Sequence, residues 1–135
     1  MPVSIHATTL SPAAGVPDTV TLTLTFRNGS IGTVSYFANG DKSLPKERVE
    51  VFASGVSAVI DDFKSLAIYA KARRTEKRLF SQDKGQKEQV RRFIEAVRRK
   101  ENEPIPIEET YSVTLATFKA LESIRTGKTI AFGLV

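Results

Sequence analysis

Few residues in this chain have the chemistry and the spacing that catalysis needs. Its 135 residues include one histidine, His6, and no cysteine. A Ser/His nucleophilic site or a zinc site would have to use His6, and thiol catalysis, disulfides and thiolate metal sites are excluded. Asp61 and Asp62 are adjacent, so in a strand their carboxylates point to opposite faces and cannot form an acid–base pair. The residues alone therefore predict a domain without a complete catalytic set.

Two glycine-containing segments resemble nucleotide-binding motifs only in part. Gly127-Lys128-Thr129 could end a phosphate-binding loop, but the position five residues before Gly127 is Glu122 instead of glycine. We interpret it as the end of a helix. No G-x-G-x-x-G motif occurs, so we expect this chain to bind no dinucleotide cofactor by itself.

The positive charge is confined to the second part of the chain. Residues 1–60 hold four basic and four acidic side chains, so the whole net charge of +5 comes from residues 61–135. Residues 71–78 contain five basic side chains: Lys71, Arg73, Arg74, Lys77 and Arg78. This run could bind an anion or nucleic acid, or it could be a solvated hairpin whose charges protect edge strands. We favour the hairpin, and we expect no nucleic-acid partner because aromatic side chains for base stacking are few here.

Composition places the chain among ordinary globular domains. It is 41% apolar and 26% charged, with 8 glycines and 6 prolines. No apolar run approaches the roughly 20 residues of a membrane helix, and the N-terminus lacks the pattern of a secretory signal. We therefore predict a single domain over residues 1–135, located in the cytoplasm and not in a membrane.

Alternating sequence patterns predict strands in the first part of the chain. Residues 3–9 form a short β-rich run, followed by turn-forming residues at 11–18, and residues 19–26 alternate strictly between apolar residues and threonine. Asn28-Gly29 is typical of a two-residue type I′ turn, after which residues 30–38 return antiparallel.

A two-residue turn fixes which side chains share a face. It pairs Phe26 with Ile31, and on the opposite face it pairs Thr25 with Gly32, Thr23 with Val34 and Thr21 with Tyr36. That second face carries no charge, which is unusual for a surface in water. We therefore predict that a second copy of the chain covers it.

Further strands and two helices complete the expected fold. Strands are predicted over residues 48–53, 56–63, 65–71 and 77–81, in one antiparallel meander. A first helix, capped by Asp83, should direct an apolar stripe to the core: Val90, Phe93, Ile94 and Val97. A second helix from Ile107 to Gly127 should pack through Val113, Ala116, Ala120, Leu121 and Ile124, and residues 129–132 could add a strand. The predicted class is α+β, a mainly antiparallel sheet with both helices packed on one face and the other face an oligomer interface.

Three segments together resemble one known family. They are residues 18–38, residues 46–62 and residues 83–129, and the last contains F-I-E-A-V, a proline-bearing link and A-L-E-S-I-R-T-G-K. They resemble the C-terminal part of the Gfo/Idh/MocA oxidoreductases, the glucose–fructose oxidoreductase and inositol dehydrogenase group, over nearly the whole chain.

The resemblance implies a two-domain parent enzyme that transfers hydride between NAD or NADP and a sugar, cyclitol or related hydroxyl compound. The cofactor would be bound by an N-terminal Rossmann domain that this sequence lacks, together with the family's Glu-Lys-Pro segment. His6 does not match the family's catalytic histidine, and Gln86 stands where the family often has another histidine. No catalytic residue can therefore be transferred to this chain.

The resemblance also suggests what the chain contributes to the parent enzyme. Its sheet would form subunit contacts and help to shape the substrate pocket, with Tyr36, Lys42 and Lys46 as candidates near the substrate. We expect the chain to be inactive alone. The alternative is a stand-alone binding module that uses its basic second half to bind an anion, nucleic acid or a partner protein.

Overall fold

The computed structural model describes residues 1–10 and 17–133, so most of the predicted turn at 11–18 lies outside the described residues. Ten elements follow one another along these described residues. They are β1 (Pro2–Thr9), β2 (Thr19–Phe26), β3 (Ile31–Phe37), β4 (Arg48–Ala53), β5 (Val56–Asp61), β6 (Ser65–Ala70), β7 (Arg73–Arg78), α1 (Gln86–Arg99), α2 (Ile107–Thr126) and β8 (Ile130–Ala131). The α+β class is confirmed, and the described strands form two sheets where one meander was expected.

The chain divides into two compact units, which are described separately. Unit 1 comprises Met1–Gly40 and Glu101–Val135, and unit 2 comprises Asp41–Lys100. Unit 1 contains a four-stranded sheet in the order β3-β2-β1-β8 and the helix α2. Unit 2 contains a four-stranded sheet in the order β4-β5-β6-β7 and the helix α1.

The core of unit 1 lies between β1 and α2. Ile5 and Ala7 on β1 are each only 1% exposed, and they cluster with Ala120 of α2 and with Phe132. Partly buried side chains from the sheet and the helix surround this cluster: Leu22, Leu24, Leu115, Ala116, Ile124 and Ile130. Alternate residues of a strand share a face, so the apolar residues of β1 and β2 point together towards α2.

The β2–β3 hairpin is shifted by one residue from the predicted register. The backbone N–H of Phe26 donates to the carbonyl of Ser30 (2.9 Å), so the loop has three residues and ends at Gly29 with φ 83°. A one-residue shift moves every side chain of β3 to the other face. The predicted pairing of Phe26 with Ile31 is therefore wrong, and Thr25 pairs with Ile31 instead.

The shift changes the composition of the open face of unit 1, the face away from α2. Val34 and Tyr36 belong to the side of Leu22 and Val20, not to the threonine side where they were predicted. The open face contains alternate residues of three strands: Ser4, His6, Thr8, Thr19, Thr21, Thr23, Thr25, Ile31, Thr33, Ser35 and Phe37. It still carries no formal charge when His6 is neutral.

Tight turns connect the strands of unit 2. The two central residues of each turn have positive φ, the pattern of a type I′ turn: Ser54-Gly55, Asp62-Phe63 and Lys71-Ala72. Because Lys71-Ala72 forms a turn, the chain returns at once as β7 (Arg73–Arg78). The predicted last strand at residues 77–81 is therefore wrong, since most of the basic run itself forms the edge strand.

The two helices begin and end close to their predicted limits. The Asp83 carboxylate accepts a hydrogen bond from the Gly85 N–H (2.9 Å), but the residue that caps α1 is Gly85 instead of Asp83. Gly127, with φ 67°, ends α2 as predicted, and its N–H donates to the Ser123 carbonyl. Within the described residues, no helix is long and apolar enough to cross a membrane.

The apolar faces of the helices differ from those predicted. In α2, Ala116, Ala120 and Ile124 pack against the core as expected, whereas Val113 and Leu121 are exposed because the helix turns its small side chains to β1. In α1, the whole predicted stripe is exposed. The packing of α1 on a sheet therefore remains a prediction.

Candidate functional site

The three substrate-side candidates lie in different units. Tyr36 is on β3 of unit 1 and is 62% exposed, opposite Val20 in the sheet register. Lys42 and Lys46 are exposed in unit 2, in the segment before β4, where the Asp41 carboxylate accepts hydrogen bonds from the N–H and hydroxyl of Ser43. These hydrogen bonds lower the pKa of Asp41. A shared role of the three candidates around one substrate remains a prediction.

The basic run is divided between the two faces of the edge strand β7. Arg74 and Arg78 are on one face with Glu76, which forms ion pairs with both (2.8 and 2.7 Å). The hydrogen bond from Arg78 is the main cause that lowers the pKa of Glu76. Arg73 and Lys77 lie on the other face, where they pair in register with Ala70 and Leu66 on β6.

Arg74 also contacts an aromatic ring. Its Nε donates to the hydroxyl of Tyr69 (3.2 Å), and its guanidinium carbon lies 5.9 Å from the ring centroid. The hydrogen bond to Tyr69 and the charge of Glu76 raise the pKa of Arg74. Two of the five basic side chains are thus held by neighbours within the sheet, which fits the solvated edge strand better than an anion site of five free cations.

A cavity in unit 1 was not predicted from the sequence. It has a volume of about 280 Å³ and lies beside the first turns of α2, lined among others by Met1, Ile107, Tyr111 and Phe132. Its lining is mostly apolar, with Arg27 among the few polar groups. Such a site can hold an apolar group, but it offers no paired acid and base. The sequence provides no clear indication of this cavity, because the residues that line it come from four separate segments of the chain.

The remaining candidates for chemistry stay isolated. His6 is exposed on the open face, where it pairs in register with Thr23. Asp61 ends β5, and Asp62 lies in the following turn, where it accepts a hydrogen bond from Gln82 (2.9 Å). In the part of the chain that the structure describes, no group of three or more acidic or histidine side chains could hold a metal ion.

The described helix termini do not form a dinucleotide site. The positive partial charge of a helix N-terminus favours a pyrophosphate, and acidic side chains in the first turn repel it. The first turn of α2 contains Glu108 and Glu109, and the first turn of α1 contains Glu88. Gly127-Lys128-Thr129 follows a helix instead of opening one. The residues at these helix termini do not fit the pyrophosphate of NAD or NADP. We therefore assign them no role in hydride transfer.

Comparison with solved structures gives matches over almost the whole chain. An aldose-aldose oxidoreductase from Caulobacter crescentus superposes with a TM-score of 0.78 at 14% identity, over 97% of this chain and 41% of its own. A UDP-N-acetylglucosamine 3-dehydrogenase from Acidithiobacillus ferrooxidans gives a TM-score of 0.77 at 17% identity, over 91% of this chain and 40% of its own. Levoglucosan dehydrogenase in complex with NADH gives 0.78 at 14% identity, over 99% and 45%.

Comparisons by sequence find no equivalent. No family model matches the chain, and no curated protein matches it. The structural similarity therefore shows the fold, and this chain spans less than half the length of each of these three oxidoreductases. The chain has the fold of one part of these oxidoreductases, as its resemblance to the C-terminal part of the Gfo/Idh/MocA oxidoreductases predicted.

Proposed function

We propose that this chain is the C-terminal, substrate-side part of an NAD(P)-dependent oxidoreductase that acts on a sugar or a related hydroxyl compound. The strongest support is structural similarity: nearly the whole chain superposes on 40–45% of each of three enzymes. The names of these enzymes describe oxidoreductases of sugars or sugar derivatives. One of them is described in complex with NADH. The remaining half of such an enzyme would supply the nucleotide-binding domain.

Within that enzyme, the chain contributes a surface and no catalytic residues. The sequence predicts no complete catalytic set, and the acidic first turns of the two helices disfavour a pyrophosphate. The purified chain should therefore neither bind NADH nor oxidise sugars with NAD or NADP. Titration with NADH, followed by nicotinamide fluorescence, tests this, and saturable binding in the micromolar range would contradict the proposal.

We also propose that the open face of unit 1 is covered by a second copy of the chain. The face is uncharged, and its exposed Ile31 and Phe37 add apolar surface at the edge strand. A hydrophobic or neutral patch on a sheet face is typical of a subunit contact.

A charge placed at the centre of this face tests the contact. Thr23 lies on β2 between His6 and Thr33, so Thr23→Arg would place like charges close together across a two-fold axis. The mass measured by light scattering should fall to half or less of that of the wild-type assembly. Ser81→Arg, which adds the same charge on an exposed loop of unit 2, is the matched control. An unchanged mass for Thr23→Arg would rule out this face.

A further inference from the structure

The strand β7 lies at the edge of the unit 2 sheet, where its neighbour in the described residues is β6. The Leu79 N–H donates to the carbonyl of Lys64 (2.7 Å), which fixes the phase of the ladder between the two strands. In an antiparallel ladder, residues that bond to the neighbour alternate with residues whose backbone groups point away from it. Backbone groups at positions 73, 75 and 77 therefore point to β6, and those at positions 74, 76 and 78 point outwards. This outer side can bond to a further strand.

The side chains that would flank such a strand include two cations without a partner. Arg73, Thr75 and Lys77 are exposed on one face of β7. Within the described residues, neither Arg73 nor Lys77 forms an ion pair, in contrast to the two arginines that Glu76 holds on the other face. The two cations are four residues apart, about 13 Å along the strand, with the hydroxyl of Thr75 between them.

Pairing with a further strand would bring these two cations close to its side chains. Residues whose backbone groups point away from a partner strand form the non-hydrogen-bonded pairs, in which side chains lie closer together. Arg73 and Lys77 occupy such positions with respect to the outer side of β7. An acidic side chain opposite each of them would form a favourable cross-strand pair, whereas a cation there would be repelled. The edge therefore favours an acidic strand.

We propose that β7 binds an extended acidic segment of another protein, which adds antiparallel to the sheet of unit 2. The segment carries carboxylates at positions i and i+4, opposite Lys77 and Arg73, and an uncharged residue at i+2, opposite Thr75. Main-chain hydrogen bonds supply the affinity, and the two carboxylates supply the selectivity. The cations of β7 deter basic strands from the same edge. This contact does not depend on the proposed dehydrogenase function.

The described edge strands of this chain do not offer such a segment. The strand β3 (Ile31–Phe37) has no charged side chain, and β8 (Ile130–Ala131) has two apolar residues. The one acid of β4 is Glu50, which already pairs with Arg48 (2.7 Å). A second copy of β7 would place cations opposite cations. The charge would attract nucleic acid, but a nucleic acid has no peptide backbone to continue the ladder.

Binding of a synthetic peptide tests the proposal. The probe is a short fluorescent peptide with the central sequence Glu-Val-Thr-Val-Glu, and its affinity for the full chain is measured by fluorescence anisotropy. Arg73→Glu combined with Lys77→Glu should raise the dissociation constant at least about tenfold, because carboxylates then face carboxylates. Lys87→Glu combined with Arg98→Glu makes the same change of charge on exposed residues of α1 and should have little effect. A wild-type chain that does not bind the peptide, or an equal loss in the two variants, would overturn the proposal.

A second set of measurements uses the unchanged chain and separates strand addition from attraction by charge. Binding of the peptide should slow the amide hydrogen exchange of Arg74, Glu76 and Arg78 at least about tenfold, because their outward N–H groups gain acceptors. N-methylation of the two valines of the peptide should weaken binding at least about tenfold, since these residues bond to β7. N-methylation of its threonine, whose N–H points away from β7, should have little effect.

Three outcomes of these measurements would overturn the proposal. They are unchanged exchange at the three outward amides, equal affinities of the two methylated peptides, and equally tight binding of a single-stranded oligonucleotide of the same charge. The last outcome would show that β7 recognises negative charge and not an extended backbone.

Discussion

Ser123 connects three segments of unit 1 through one hydroxyl group. Its side chain is fully buried, the N–H of Ala7 donates to its Oγ (2.9 Å), and the Oγ donates to the carbonyl of Lys128 (2.6 Å). These contacts join β1, α2 and the turn that leads to β8. The buried N–H of Ala7 would be costly without a partner, so this hydroxyl has a structural role.

Ser123→Ala should lower the free energy of unfolding by about 1–3 kcal/mol, because the buried N–H of Ala7 and the partly buried carbonyl of Lys128 lose their partner. Urea denaturation followed by circular dichroism measures the change. Ser112→Ala on the same helix, whose exposed hydroxyl donates to the sulfur of Met1, is the matched control and should change stability little. Equal effects of the two substitutions would show that the Ser123 hydrogen bonds do not stabilise the fold.

The structural and functional roles of individual residues could be predicted from the sequence only in part. The sequence predicts that His6, Asp61 and Asp62 take no part in catalysis, and this stays a prediction. Nothing in the sequence distinguishes Ser123 from the exposed hydroxyls of α2, because its role depends on a strand more than 100 residues away. The role of Tyr36, Lys42 and Lys46 stays a prediction.

The predictions for individual strands failed where the position or length of a turn was wrong. Asn28-Gly29 correctly indicated a hairpin, but whether the loop has two or three residues depends on the whole pairing of β2 with β3. The side chains on β3 therefore exchanged faces, while those on β2 did not. In the basic run, Lys71-Ala72 adopts positive φ without glycine or asparagine, so no sequence signal marked that turn.

The spacing of four exposed apolar residues of α2 could have been read from the sequence. Apolar residues at positions 107, 111, 118 and 121 follow the same alternation of four and three as a coiled-coil seam. The sequence-based face instead combined Val113 and Leu121 with the true core residues. Two overlapping apolar patterns on one helix explain that error.

The stability of helix α1 should depend on pH through the carboxylate of Glu88. Hydrogen bonds from Arg91 and then Arg92 lower the pKa of Glu88 from 4.5 to about 2. Because the pKa is depressed in the folded helix, the stabilisation is complete above pH 4.5 and is lost as the pH falls towards 2. Carboxyl resonances measured by NMR should show that the pKa of Glu88 lies well below 4.5, and Arg91→Gln, which removes the partner with the largest effect, should move this pKa back towards 4.5. A Glu88 pKa near 4.5 in the wild-type chain would contradict these ion pairs.

For the whole molecule, the sequence predicted the fold class correctly, but it did not predict that the described strands form two separate sheets. Strict alternation in β2 and the two helical stripes were sufficient for the α+β class, and the family resemblance was sufficient for the fold that the solved structures confirm. The separation into two sheets depends on residues 38–47, whose sequence does not show whether the strand before them pairs with the strand after them.

The chemistry of the proposed enzyme rests on a portion that this chain does not contain. The described residues provide exposed surfaces for contacts, and the acidic helix starts oppose a dinucleotide. A nucleotide-binding domain must therefore come from elsewhere if the chain serves a dehydrogenase. If no nucleotide-binding domain is encoded near this gene, the proposal that the chain serves a dehydrogenase is contradicted.

The most direct test is to sequence the DNA immediately upstream of the Met1 codon. Our account predicts an open reading frame that continues in frame and encodes a strand, a glycine-rich turn and a helix, the pattern of a dinucleotide-binding domain. A stop codon directly upstream, with a ribosome-binding site before Met1, would contradict the assignment of this chain as one part of a single-chain dehydrogenase.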